Sequence, residues 1–362
     1  MTTALAPPRV VLLGSHYDGL RCSGDGLILA LSREAEAVHV DATGPLRHAL
    51  TAYGRAAAAV SDGAELVHVL DARFAPVAVL LRRRLGVKIT ATVSAQDMSS
   101  RTPWPVLARR FLPRFDAAFT SEEAALFALR DTMPSLSASR VRPAVSMLPQ
   151  PLAKHTSAVA RALRGVRPGR LVLGLVWPEN RNDLRWFRDV VLPRLDAKPI
   201  CLLLGAPSAR EVRLLIGAAG VRSEFRLLRG PLDAPTIAAA ARCVDAFVSP
   251  ASLRHGKPDA ITPLALALAV SSVPTVTDGQ AEAAVLTHER NAFLVDRGDE
   301  RGFASTLNDL LALPALQRHF LGEEFARYTL GQWTWREAAD VYVERFASLV
   351  GRPRIPAGLR AA

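Results

Sequence analysis

Three groups of residues in this 362-residue chain have types and spacing that could do chemistry. The first is the run GSHYDGLRCSGDG, Gly14 to Gly26, in which glycines are interleaved with Ser15, His16, Tyr17, Asp18 and Asp25. Glycines there let the backbone approach a ligand closely, and His16 beside Asp18 could meet a hydroxyl. Ordinary turn chemistry explains the same Asp and Gly residues equally well. The run is not the G-x-G-x-x-G fingerprint of a dinucleotide site. The second group is Arg181 and Arg185, one helical turn apart at the start of a helical pattern. Two such cations could reach a phosphate, as readily as they could be a solvated helix face. The third is the loop SPASLRHGKPDAITPLALALA, where Asp259 precedes a helix start. The backbone N–H groups of Ala260, Ile261 and Thr262 have no partner within such a helix and are free to receive a phosphate. Asp259 reads equally as an ordinary cap of that helix.

What is missing narrows the chemistry. Cys22, Cys201 and Cys243 stand far apart, without C-x-x-C or Cys/His spacing, and no Asp-x-Asp run is present, so no metal site is expected. Cys201 lies in the apolar run ICLLLG, as a buried, inert thiol would. A net charge of +11 and a pI near 10.5 favour anionic partners, although a general bias toward arginine accounts for the same numbers. No nucleic-acid-binding module is recognisable, so no nucleic-acid partner is expected. The N-terminus lacks the basic and apolar regions of a signal peptide. The apolar tract from Ala260 to Val276 is interrupted by Thr262, Pro263, Ser271, Ser272 and Pro274, short of the roughly 20 apolar residues a membrane span needs. A soluble protein of the cytoplasm is therefore expected.

The elements that must position these groups read as alternating strands and helices. Short β-branched runs at Val10–Gly14, Val38–Asp41, Leu66–Leu70, Ile89–Val93 and Ala117–Thr120 enclose helical patterns at Gly26–Ala35, Leu46–Ala59, Pro76–Leu85 and Glu122–Leu129. Periodicity stops around Leu148-Pro149-Gln150-Pro151, and a polar, basic stretch leads to Gly169. Alternation restarts with strands at Leu171–Leu175, Ile200–Gly205, Phe225–Leu228, Ala246–Ser249, Thr275–Thr277 and Ala292–Val295. Helices are predicted over Leu184–Leu195, Ala209–Ala219, Ala234–Ala241, Phe303–Leu313 and Trp335–Val350. Such alternation predicts an α/β fold with two Rossmann-like, doubly wound domains and right-handed crossovers. The boundaries expected are residues 1–155, 156–335 and a terminal helix and tail at 336–362 that packs back on the first domain. Ligands of doubly wound sheets sit beyond the carboxyl ends of the strands, which directs attention to the loops after Leu13, Val93, Leu173, Leu204, Val248 and Val276.

Several segments, in this order, resemble retaining glycosyltransferases of family 4, which have the two-domain GT-B architecture. ELVHVLDARFAPVAVLLRRRLGVKITATVSAQD resembles the family's strand–helix–strand ending in a T-V-H-x-x-D turn, with Ser94 in the histidine's place and Asp97 matching. FDAAFTSEEAALFAL is similar to its strand, serine and acidic helix start, with Ser121 expected as the helix cap. LVLGLVWPENRNDLRWFRDVVLPRL resembles the G-R-L-x-P-E-K-G segment, placing Gly174 at the glycine, Leu175 at the arginine and Asn180 at the lysine. ICLLLGAPSAREVRLLIGAAGV is similar to the next strand and helix. Counting back from Val273-Pro274 puts the family's two donor-site glutamates at Asp259 and Ala267. DGQAEAAVLTHERNAFLVDRGDERGFASTL carries a further glutamate, Glu282, and WTWREAADVYVERF resembles the Trp-led terminal helix.

The resemblance implies a metal-independent, retaining glycosyltransferase without a cofactor, its domains facing each other across a cleft. Its donor would be a UDP- or GDP-sugar and its acceptor a glycan, a lipid-linked molecule or a small molecule. It assigns Asp259, Asp97 and His16 to catalysis, and Gly174, Arg181, Arg185, Ala260, Ile261, Thr262 and Glu282 to the donor. Ser15, Tyr17 and Asp18 fall on the acceptor side. The substitutions at Leu175, Asn180, Ala267 and Ser94 support an alternative, a non-catalytic protein of the same fold that binds a ligand or serves as a partner subunit. WPVLARRFLPRF, Trp104 to Phe115, interleaves aromatics and arginines as some relatives do where they lie on anionic membranes, which allows association with the cytoplasmic membrane face. A packing helix under the sheet accounts for the same run.

Overall fold

The computed structural model describes residues 7–14, 23–41, 47–98, 110–148, 150–151, 153–176, 181–206, 225–229, 232–250, 262–278 and 285–352. They fall into two compact units. One holds the described residues up to Ala144 together with those from Trp333 on, and the other runs from Val145 to Gln332. Each is built on a six-stranded parallel sheet, so the chain is an α/β protein with two Rossmann-like domains.

In the first unit β1 (Arg9–Gly14), β2 (Glu36–Asp41), β3 (Leu66–Val69), β4 (Lys88–Thr92), β5 (Ala117–Thr120) and β6 (Ala138–Arg140) lie in the order β2-β1-β3-β4-β5-β6. Alternate residues face opposite sides of a strand. Val11, Leu13, Val67, Ile89 and Ala91 therefore share one core, with Ala52, Ala56, Ala78 and Leu81 from α2 (Arg47–Ser61) and α3 (Ala75–Leu85). Val10, Leu12, Leu66, Ala117 and Phe119 face the other side, under α1 (Ser23–Glu34) and the chain's final helix. Both faces being covered explains why these strands read as continuous apolar runs. Gly86, in the left-handed region at φ 68°, ends α3 and gives its N–H to Arg82 O. Two shorter helices, α4 (Ala95–Met98) and α5 (Glu123–Thr132), follow β4 and β5. Glu122, not Ser121, is the residue that precedes α5, and it caps without its side chain. Thr120 Oγ1 accepts the Glu122 N–H at 3.1 Å, so the turn closes one residue later than the Ser-Glu signal suggested.

The second unit orders β7 (Val172–Val176), β8 (Ile200–Ala206), β9 (Phe225–Arg229), β10 (Ala246–Ser249), β11 (Thr275–Thr277) and β12 (Phe293–Leu294) as β12-β11-β10-β7-β8-β9. One face packs Leu173, Leu175, Leu203 and Val248 against a helical segment that starts as α7 (Arg181–Trp186) and tightens through Phe187–Val191 and Leu192–Arg194. The other packs Val172, Leu202, Leu204 and Phe247 against α6 (Ala153–Ala162), α8 (Ala234–Ala241) and α9 (Thr262–Ala269). After β12 come α10 (Glu300–Ala312), capped by the Asp299 carboxylate, and α11 (Ala315–Gln332). Neither α6 nor α11 was anticipated. In α11 the usual pattern is inverted, with Arg318, Gly322 and Thr329 buried while Leu316 and Phe320 are exposed. The helix expected over Ala209–Ala219 lies outside the described residues.

Helix α12 (Trp335–Leu349) belongs to the first unit. Thr334 caps it by accepting the Glu337 N–H, and Ala338, Ala339, Tyr342, Val343 and Phe346 are buried. Helix α1 can approach it closely because residue 26 is glycine: a Cβ there would overlap the Trp335 indole. A buried polar relay adds direction to this apolar contact. His68 Nδ1 meets Thr90 Oγ1 at 2.9 Å, His68 Nε2 meets Thr92 Oγ1 at 3.0 Å, and Thr92 Oγ1 meets the Tyr342 hydroxyl at 2.9 Å. Phe119, Tyr342 and Phe346 surround the imidazole with ring centroids 5.2 to 5.8 Å away. Burial holds the His68 pKa down at about 3 and pushes Tyr342 up to about 12, so both stay neutral at ordinary pH.

Candidate functional site

The order of the second sheet reverses between β7 and β10. Counting its strands from β7 gives 3-2-1-4-5-6 from the far edge, the arrangement whose ligands bind beyond the carboxyl ends of the two central strands. In the β7–β10 register, Val248 lies opposite Leu175, which brings Val176 and Ser249 to that edge together. Helix α7 starts after β7 and α9 starts after β10. Both therefore begin at this end, where a helix N-terminus favours negative charge.

Of the donor residues expected there, Gly174 is in the middle of β7 and has a packing reason. A Cβ on it would lie 2.5 Å from the Phe247 ring of β10. Arg181 opens α7, and Arg185 follows one turn later with its side chain exposed. Arg185 adds to the positive field on Asp189, whose carboxylate is held below its usual range first by the hydrogen bond from Arg188. Arg188 and Asp189 meet through two 2.5 Å contacts, and the same bond raises the guanidinium. Thr262 is the first residue of α9. Asp259, Ala260, Ile261 and Glu282 lie outside the described residues. Leu175 and Ala267, at two positions where the resemblance expects polar contacts, are fully buried in the two cores.

Sequence reasoning passed over four polar residues at this end. Ser249 and Thr277 close β10 and β11 and are joined by a 2.8 Å bond from Thr277 Oγ1 to the Ser249 carbonyl. Asp278 follows β11 with 2 % of its surface exposed, and Asp183, in the first turn of α7, is fully buried. A signal existed: each is a polar residue at the very end of an apolar strand or the start of the helix after it. Buried polar groups at that edge are placed by the strand order, which a linear reading does not supply.

In the first unit, Ser15, His16, Tyr17 and Asp18 lie outside the described residues. The strand before them ends at Gly14, where a Cβ would come 2.8 Å from Leu70 Cβ, and its carbonyl meets His39 Nε2 at 3.0 Å. Asp97 is described and has a structural partner. Its carboxylate accepts the Ser94 N–H at 2.9 Å and hydroxyl at 2.7 Å, while its own N–H reaches Ser94 Oγ at 3.2 Å. That reciprocal pair is a capping box at the start of α4. Within Trp104 to Phe115, residues 104–109 lie outside the described set. Leu112 and Phe115 are core residues, Phe111 packs on the same core, and Arg114 stands over the Phe111 ring at 5.7 Å. Beside them is a groove of about 460 Å³ lined by Arg82, Arg83 and Arg114 with Val79, Pro113 and Phe115. No helix among the described residues is long and apolar enough to cross a membrane, and no group of three or more His, Cys, Asp and Glu residues is placed to hold a metal.

By sequence, no known protein family and no curated protein matches the chain. By structure, several solved proteins do, over nearly their whole length and at low identity. HepE of Anabaena, solved in complex with UDP and glucose, is 13% identical, with 94% of this chain and 100% of that one covered at a TM-score of 0.60. Sucrose-phosphate synthase of Thermosynechococcus elongatus gives 12%, 95%, 99% and 0.57 for the same quantities. The UDP-forming α,α-trehalose-phosphate synthase of Burkholderia vietnamiensis gives 15%, 96%, 100% and 0.54. Two parallel six-stranded sheets and a likeness that covers almost every residue identify the architecture of this chain as the GT-B fold.

Proposed function

We propose that this protein is a glycosyltransferase that moves a sugar from a nucleoside-diphosphate donor to a glycan, lipid-linked or small-molecule acceptor. The observation that carries the reading is the reversal of strand order between β7 and β10, with α7 and α9 starting at the same edge. HepE, which shares the fold, was solved with UDP and glucose, and UDP- or GDP-sugars are the donors this reading selects. Arg181, Arg185 and the N–H groups of Ala260, Ile261 and Thr262 would take the charge that develops on the diphosphate leaving group. The scheme needs neither metal nor cofactor. Gly174 and Glu282 complete the donor side, and Asp259 orients the sugar. His16 and Asp97 act near the transferred group, Ser15, Tyr17 and Asp18 face the acceptor, and transfer proceeds with retention. The protein would be cytoplasmic, and the arginine-lined groove beside Phe115 would meet anionic membrane surfaces.

A second reading, a non-catalytic GT-B protein, is favoured by one specific observation. Leu175 and Ala267 face the cores, so two positions at which the resemblance expects polar contacts serve packing instead, and Asp97 takes part in capping α4. Calorimetric titration with UDP, GDP and ADP separates the readings. Saturable binding of one nucleotide, weakened about tenfold by Arg181→Ala or Arg185→Ala, corresponds to one lost charge-assisted contact and supports the transferase. Absence of binding by all of them at millimolar concentration rejects it in favour of the second.

A further inference from the structure

A concavity of the second unit lies at the opposite edge from the candidate donor site. It encloses about 710 Å³ at the amino ends of β10 and β11, where Val244 and Asp245 lead into one strand and Val273 and Pro274 into the other. Residues from the end of α8 and the first turn of α11 form its sides. That volume is within the range of small-molecule sites, roughly 300–1,000 Å³.

Apolar residues make up most of its lining, but polar atoms present about as much of its open surface, and Met147, which lines it, is 75% exposed. An exposed, unbranched thioether at a cavity wall is an adaptable apolar contact. The charged residues of the lining divide cleanly. Arg318 and Asp245 neutralise each other at 2.6 Å, and both are further engaged: Arg318 NH1 donates to the Leu311 and Leu313 carbonyls, while Asp245 accepts the Val172 N–H at 2.8 Å. This pair is a wall that ties the starts of β7 and β10 to α11. His319 faces Glu323 at 3.3 Å. Arg242, the residue that ends α8, is exposed and has no carboxylate partner among the described residues.

A cavity of mixed lining, with apolar side chains such as Met147, Val244 and Val273 and one guanidinium that has no carboxylate partner among the described residues, has a definite complement. We propose that it binds an organic monoanion with an apolar body, its carboxylate, sulfonate or phosphate ester on Arg242 and its body against Met147, Val244 and Val273. A guanidinium matches such a group with two parallel hydrogen bonds. Because the cavity and the candidate donor site lie at opposite ends of the same strands, the two ligands would not exclude each other.

The test is a fluorescence titration of the full chain with anilinonaphthalene sulfonate, an aromatic monosulfonate, in the presence and absence of millimolar UDP. Four proteins are compared: wild type, Arg242→Glu, Ala241→Trp to fill the cavity, and Arg130→Glu as a control for net charge on the other unit, at an exposed position that lines neither cavity. Saturable binding is expected in the wild type and the control, weakened at least tenfold by Arg242→Glu, lost in Ala241→Trp and unchanged by UDP. Thermal melts confirm that the variants are folded, and Arg242→Glu, a surface change, decides alone if Ala241→Trp is not. Equal affinity in Arg242→Glu and Arg130→Glu overturns the proposal, as does displacement of the probe by UDP or the absence of saturable binding. Should the chain bind no nucleotide at all, the two variants still decide the question, so this inference and the transferase reading fail separately.

Discussion

Both units stack helices on the two faces of a six-stranded parallel sheet, yet among the described residues only the first holds a buried histidine in a central strand. This is His68 of β3, tied through Thr92 to Tyr342 of α12. Both units bury charged-type side chains at the ends of their sheets: Glu122 after β5 in the first, Asp183 and Asp278 at the carboxyl edge and Arg318 at the amino edge in the second. A polar group in the middle of a sheet must be satisfied by the fold itself, because no solvent or ligand reaches it. At an edge, the same group can meet something that arrives from outside. The comparison ties the first unit's buried histidine to holding the chain together and leaves the ends of both sheets as the places where a ligand could be met.

The sharpest way to break that comparison is Phe346→Ala. This ring is fully buried against His68, Phe119 and Tyr342. Its loss should cost about 3–5 kcal/mol. In a calorimetric scan it should lower one transition, that of the first unit, and leave a second in place; one shared shift would show the units to be a single cooperative body. Next comes pH. His68 has a folded-state pKa of about 3, below its ordinary 6.5, so the unfolded chain binds a proton that the folded chain refuses. The stability this confers is complete above about pH 6.5 and falls as pH drops toward 3, by at most about 1.4 kcal/mol per pH unit. Urea titrations of wild type and His68→Leu should show their difference narrowing over that window; parallel curves would mean that His68 titrates normally. In the second unit, Gly174→Ala drives a methyl into the Phe247 ring and should cost about 1–3 kcal/mol. A stability loss without a matching change in nucleotide affinity would identify Gly174 as a packing residue. Asp97→Ala has the smallest expected effect, about 1 kcal/mol for a lost cap, read from the urea midpoint. A change in turnover much larger than that loss explains would restore Asp97 to the chemistry.

Most of the fold was legible in the chain. Strands covered on both faces appear as unbroken apolar runs, and Ala117–Thr120, Ala246–Ser249 and Thr275–Thr277 are found where those runs predict them. Elements whose pattern does not announce burial were missed. The three residues Ala138–Arg140 pair only as an edge strand, α6 buries a single side chain, Val159, and α11 buries an arginine while exposing Leu316 and Phe320. The site was less legible. A motif aligned by counting puts Ala267 where a polar contact belongs, but only the packing of α9 shows that position to face the core. Likewise Ser94 and Asp97 resemble a catalytic turn in sequence and form a capping box in space.

The return of α12 to the first unit also bears on how the protein is made. A ribosome delivers the first unit's sheet long before residues 335–349, so Val10, Leu12, Leu66 and Phe119 emerge with only α1 to cover their side of the sheet. Nearly two hundred residues of the other unit are synthesised before that face can be closed. Domains generally fold as they emerge, but this one cannot finish until synthesis is almost complete. During that interval the nascent chain presents the part of that apolar face that α12 later covers, and a premature stop between Ala144 and Trp335 would leave it permanently open.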